Sequence, residues 1–156
     1  MTSKQDFSDE EWARIRRAPL VAGVAISLAD PGGPIELAKE TMATMRSATL
    51  PPSQEELLAS VALDVQAMTQ HRQNPLGDFK PRGGQQVLEE LKAVNELVTA
   101  KATPEEVEAF HRWLVAAAQA AANAGKEGGF MGFGAERVSA GERQMLDQVR
   151  AALGMG

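Results

Sequence analysis

Apolar residues recur along this chain at spacings of three and four. Leu57, Val61, Val65 and Met68 make one such stripe, Val87, Leu91, Val94 and Val98 a second, and Ile35, Ala38, Met42 and Met45 a third. Val107, Phe110, Leu114, Ala117 and Ala121 continue the pattern through an alanine-rich stretch, and Leu146, Val149 and Leu153 close it before Gly154, a suitable helix stop. A helix places residues at these spacings on one face, so each stripe predicts an amphipathic helix with its apolar side buried. No segment alternates with the period of a half-buried strand. The run Leu20 to Leu28 is apolar almost throughout, and periodicity alone does not separate a buried strand from a buried helix. Its alanines, its length and Pro19 at its start favour helix.

Helix starts punctuate these stripes. A Ser or Thr followed three residues later by Glu occurs at Ser8 with Glu11, Ser53 with Glu56, Thr103 with Glu106 and Ser139 with Glu142. At such a start the hydroxyl accepts from a free backbone amide and the carboxylate accepts from the amide of the capping residue. Pro104 strengthens the third start, because proline in the first helical position loses no hydrogen bond. The spacing predicts helices over residues 8–17, 19–30, 34–48, 53–73, 84–101, 103–125 and 139–153. The expected fold class is all-α, a single compact bundle of about seven helices over residues 1–156. Two stretches rich in glycine and proline, near residues 74–84 and 125–138, interrupt it. The first could act as a hinge, although neither half alone would bury much core.

Composition narrows the chemistry. A chain of 156 residues suits one domain, able to bury roughly 70% of its unfolded surface. Cysteine is absent, which removes disulfides, thiolate catalysis and thiolate-held metals. The net charge of −5 and the scarcity of aromatic residues (no Tyr, two Trp, five Phe) disfavour a nucleic-acid partner. The first twelve residues, MTSKQDFSDEEW, show no basic segment followed by an apolar core, and the apolar run Ala18 to Ala29 is short of the ~20 residues a membrane span requires. A cytoplasmic protein without a membrane span is the expectation.

Four constellations could carry function. Glu108 and His111 share a helix face in the E-x-x-H spacing of carboxylate-bridged di-iron bundles; the alternative is a flanking histidine beside Phe110. Asp30, Glu36 and Glu40 surround the turn Pro31-Gly32-Gly33-Pro34, where oxygen ligands could hold Ca²⁺ or Mg²⁺, or where Asp30 caps one helix while Glu36 meets the positive end of the next. Phe130, Met131 and Phe133 sit in the glycine-rich run GGFMGFG, either as a plug for the bundle or as an apolar lip for a partner protein. Ser27, inside an apolar helix, would be satisfied by a bond to the preceding turn. No nucleophile–histidine–acid set can be assembled from these residues.

The segments Leu20 to Asp30 (LVAGVAISLAD) and Val115 to Gly125 (VAAAQAAANAG) are both small-residue helices ending in a glycine-containing turn before another helix, which suggests a degenerate duplication. The closing string VSAGERQMLDQVRAALG resembles the last helix of the tellurite-resistance protein B (TerB-like) family. Ala29, Asp30 and Gly32 match the turn of its repeated element, and Val138, Ser139, Glu142, Leu146, Leu153 and Gly154 match its closing part. Gly125 and Lys126 stand where the second aspartate of that pattern would be. The resemblance covers about a third of the chain. It implies an all-helical fold of paired repeats, a non-catalytic role in bacterial stress response, and contact of acidic residues at the turns, here Asp30, Glu36, Glu40 and Glu142, with a divalent cation. The expected function is therefore a helical interaction module engaging a protein partner or a second copy of itself. The alternatives are a carboxylate-bridged metalloenzyme of ferritin-like type and a purely structural, oligomer-forming bundle.

Overall fold

The computed structural model describes residues 2–29, 34–126 and 140–155. Among them the chain forms a short 3-10 turn, Lys4–Asp6, and the helices α1 (Asp9–Ala29), α2 (Pro34–Thr49), α3 (Glu56–Gln70), α4 (Gly84–Lys101), α5 (Pro104–Lys126) and α6 (Ala140–Ala152), with no strand. The all-α expectation holds, with six α-helices in place of about seven. The difference lies in α1, which runs unbroken through Pro19 and joins two segments expected to be separate. Proline removes one intrahelical bond and crowds the preceding turn. Here burial outweighs that loss, because Trp12, Ile15, Ala18, Val21, Ala22, Ala25 and Ile26, on both sides of Pro19, all enter the core.

α1 is the central element and packs against every other α-helix. The reason is its composition: its second half is small and apolar on nearly all sides, so several neighbours can approach it closely. The stripes on α3, α4, α5 and α6 face this centre as expected. Leu57, Val61, Val65, Val87, Leu91, Val94, Val98, Phe110, Leu114, Ala117, Ala121, Leu146, Val149 and Leu153 are all buried. Polar anchors fix the register between helices. The Trp12 indole donates to Asp64 on α3 at 2.7 Å, and the Trp113 indole donates to the Ser47 carbonyl on α2 at 2.7 Å. Arg14 grips Glu90 on α4 through two bonds of 3.1 and 2.7 Å.

Two of the expected helix starts form as reciprocal pairs. At α1 the Glu11 amide donates to Ser8 Oγ (3.1 Å) and the Ser8 amide to Glu11 Oε1 (2.9 Å). At α5 the Glu106 amide donates to Thr103 Oγ1 (3.2 Å) and the Thr103 amide to Glu106 Oε1 (3.1 Å). The start expected at Ser53 does not form: α3 begins at Glu56 behind Glu55, and Ser53 Oγ is buried with no hydrogen-bond partner. The helix also stops earlier than expected, with Arg72 in the left-handed region (φ 56°) and the Gln73 amide bonded to the Met68 carbonyl at 2.8 Å. Ser139 lies outside the described residues. Gly154 does stop α6, at φ 75°, with its own amide on the Ala151 carbonyl (3.0 Å) and that of Met155 on the Arg150 carbonyl (2.9 Å).

α2 reverses its expected orientation. Ile35 and Met42 are 73% and 66% exposed, Ala38 is exposed, and Met45 is half-buried, whereas Glu40, Thr44 and Ala48 face inward. Size explains the reversal. α2 lies against α1 at Gly23 and against the alanine-rich α5, two surfaces whose closeness leaves room for small side chains and not for isoleucine or methionine. Ile35, Ala38 and Met42 of the third stripe therefore face outward, and Met45 alone packs against the core.

The stretch between α3 and α4 packs rather than hangs. Asn74 organises it, accepting the Leu76 amide on its side chain (3.0 Å) and the Gly77 amide on its carbonyl (2.9 Å), with Gly77 at φ 58°. Leu76 and Phe79 lie against the core, and the Arg17 guanidinium sits 5.2 Å from the Phe79 ring centre. Among the described residues no helix is long and apolar enough to cross a membrane.

Candidate functional site

The reversal of α2 creates the most distinctive feature of the surface. Leu20, Val24 and Leu28, one face of α1, and Leu37, Thr41 and Met45, one face of α2, line the two sides of a groove of about 450 Å³. Asn74, Pro75, Leu76 and Pro81 complete its wall, so the ordered turn at Asn74 is part of the site. The lining is predominantly apolar. Of its polar residues, Ser27, Glu40 and Thr44 sit where α1 and α2 meet, while Thr41 and Asn74 stand on the walls.

Close approach of the two helices sets that floor. A Cβ on Gly23 would lie 2.8 Å from Thr44 Cβ and closer still to Thr44 Oγ1 and Cγ2, so only glycine fits there. The Thr44 hydroxyl donates to the Glu40 carbonyl one turn back at 2.8 Å. The Glu40 side chain, only 3% exposed, accepts a hydrogen bond on Oε2 from Ser27 Oγ. Ser27 is thus satisfied across the helix pair, and not by the preceding turn of its own helix as its sequence context implied. A carboxylate brought this far out of water is retained only where donors stabilise it.

The other sequence-derived candidates are dispersed. Glu36 is half-buried in the first turn of α2, one turn from Glu40, and Glu142 is buried in the first turn of α6. Among the described residues no three His, Cys, Asp or Glu side chains gather closely enough to hold a metal ion. Glu36, Glu40 and Glu142 therefore form no such group by themselves. Asp30 lies outside the described residues, as do Phe130, Met131 and Phe133.

Glu108 and His111 share one shallow depression of about 370 Å³ with Thr99 and Met155, yet their partners differ. His111 Nε2 lies 2.6 Å from Asn95 Oδ1, and burial holds the imidazole below its ordinary pKa. Glu108 is exposed and pairs with Arg112 at 3.7 Å. The E-x-x-H spacing thus serves an interhelical hydrogen bond on one side and a surface ion pair on the other.

Compared with family models, curated proteins and solved structures, the chain matches none. The groove was not legible as a site in the sequence, although its signal was present. Gly23, Ser27, Glu40, Thr44 and Ala48 are small or polar residues at helical spacing, and that pattern marks where two helices approach closely.

Proposed function

We propose that this protein is a non-catalytic helical binding module, of the kind the TerB-like resemblance implies and with the stress-associated role it suggests, whose site is the groove between α1 and α2. One observation carries the reading: a cavity of about 450 Å³ with predominantly apolar walls and a few polar groups, among them Ser27, Glu40 and Thr44 at its base, which matches the size and lining of ordinary small-ligand sites. Non-catalytic is the better reading because, among the described residues, the groove contains no histidine, lysine or cysteine and so no nucleophile–histidine–acid set.

The test uses a neutral fluorescent probe, N-phenyl-1-naphthylamine, whose emission rises in an apolar site. Wild type should bind it saturably. Thr41→Trp should abolish binding, because Thr41 is exposed and lines the groove, so an indole there fills the space without entering the core. Its helical circular dichroism should be unchanged. Equal probe binding by wild type and this variant would place the site elsewhere and remove the proposal.

A further inference from the structure

We infer that the outward face of α2 pairs with the same face of a second copy of this chain, antiparallel about a two-fold axis beside Met42, with Glu36 of each copy against Arg46 of the other. The inference stands apart from the groove. Of the large apolar side chains that remain exposed among the described residues, Ile35 (73%), Leu37 (52%), Met42 (66%) and Leu50 (65%) belong to α2 or to the residue that follows it, and only Leu63 lies elsewhere. Leu37 turns toward the groove. Ile35, Ala38 and Met42 share the outward side. Exposed apolar surface gathered in this way marks an interaction face, and methionine adapts readily to the surface it meets.

The charges on α2 say what covers that face. Glu36 stands in the first turn and Arg46 in the last, and neither side chain has an ion-pair partner among the described residues. Ten residues separate them, about 15 Å along the axis, and Thr41 beside Met42 marks the midpoint. A two-fold pairing requires a surface complementary to itself. An antiparallel copy of α2 meets that requirement, since it sets an acid against a base at both ends, keeps the two Met42 side chains near the axis and opposes the two helix dipoles. A parallel copy would set Glu36 against Glu36 and Arg46 against Arg46. Ion pairs at such a rim add little affinity but fix partner and register. One helix face is also a small interface beside the roughly 800 Å² per partner of stable complexes, so the pairing is weak, with a dissociation constant between roughly micromolar and millimolar. In dilute solution the chain is a monomer, and substitutions on this face act on association and not on the fold.

Sedimentation velocity across that concentration range, at low salt to limit screening, provides the test. Wild type should pass from one chain to two as it is concentrated. Glu36→Arg alone and Arg46→Glu alone should each weaken pairing roughly tenfold or more, because each turns two attractions into two repulsions. Each charge also suits the end of the helix dipole on which it stands, so the single reversals by themselves do not isolate the contact. An equimolar mixture of the two does: every rim pair between unlike copies is again an acid with a base, and a species of two chains should return. One chain carrying both reversals should pair with itself as wild type does, which keeps the inference testable if a single reversal fails to fold. Met42→Lys, with a charge at the axis, should be monomeric throughout.

A wild type that stays monomeric at every concentration would overturn the inference, as would single reversals or Met42→Lys that pair as tightly as wild type. So would folded single reversals whose mixture stays monomeric, or a double reversal that folds and does not pair. Pairing that emerges only in Phe130→Ser with Phe133→Ser would mean that the chain's own segment covers α2, and would overturn it as well.

Discussion

Gly23 and Thr44 are in such close contact that the helices carrying them have no room for a methyl group between them. A Cβ added to Gly23 would fall 2.8 Å from Thr44 Cβ and nearer still to its hydroxyl, and Thr44 is held in place by its bond to the Glu40 carbonyl. This contact determines the spacing of α1 and α2 and hence the depth of the groove.

Gly23→Ala should therefore destabilise the fold by about 1–3 kcal/mol, the usual cost of overpacking, although alanine is the better helix former. Urea unfolding followed by circular dichroism measures it. Thr44→Ala added to Gly23→Ala should restore only part of the loss, since the two nearest atoms disappear but Thr44 Cβ remains 2.8 Å from the new methyl. Full recovery in the double variant would show that the backbone adjusts more easily than the contact implies. A gain in stability from Gly23→Ala alone would show that the helices are not in contact there.

Glu106 joins three parts of the chain. Its carboxylate accepts from the Thr2 amide (3.0 Å), the Thr2 hydroxyl (2.7 Å) and the Thr103 amide (3.1 Å). Burial alone would raise its pKa, but the bonds from Thr2 and Thr103 together outweigh that and hold it below the ordinary value of 4.5. A carboxyl group depressed in the folded state stabilises it above the unfolded pKa, and that contribution is lost as pH falls through the folded value. Wild type should accordingly lose stability as the pH drops below about 4.5, and Glu106→Gln should show a shallower acid limb with lower stability at neutral pH. Urea midpoints across roughly pH 3 to 7 compare the two; parallel curves would sink the assignment.

The helical stripes and two of the four starts could be read directly from the residues, because helix periodicity and end chemistry are local. Ser8 and Thr103 show the local rule succeeding. Ser53 shows it failing: its hydroxyl is drawn into the packed interior before α3 begins, and a local pattern carries no information about that burial. Pro19 fails for the same reason in reverse, since the tertiary packing of α1 on both sides of it outweighs a local breaker. The groove was the least legible feature, because it depends on the distance between α1 and α2, which Gly23, Thr44 and the alanines of α5 set jointly.

Ser8 and Ser53 consequently make a paired test. Ser8→Ala removes a working cap and should cost about 1 kcal/mol. Ser53→Ala removes a buried hydroxyl that has no partner, so it should be neutral or stabilising by up to about 1 kcal/mol. Denaturation midpoints of the two variants decide between local pattern and observed packing. Equal losses would mean that Ser53 caps α3 in solution.

The outward face of α2 gives the sharpest contrast between pattern and packing. If Ile35 and Met42 were core residues, as their spacing with Ala38 and Met45 suggests, a charge at Met42 would cost several kcal/mol. Because Met42 is 66% exposed, Met42→Lys should change stability by no more than about 0.5 kcal/mol. Thr44→Leu, which makes the inward face more apolar, should instead cost about 1–3 kcal/mol by forcing bulk against Gly23. The ordering is opposite to what hydrophobicity alone dictates, and it should extend to binding: Met42 does not line the groove, so Met42→Lys should leave probe affinity as it is, while Thr44→Leu should lower it by filling the floor. A strongly destabilised Met42→Lys would place the stripe inside, and the groove that depends on its exposure would disappear with it.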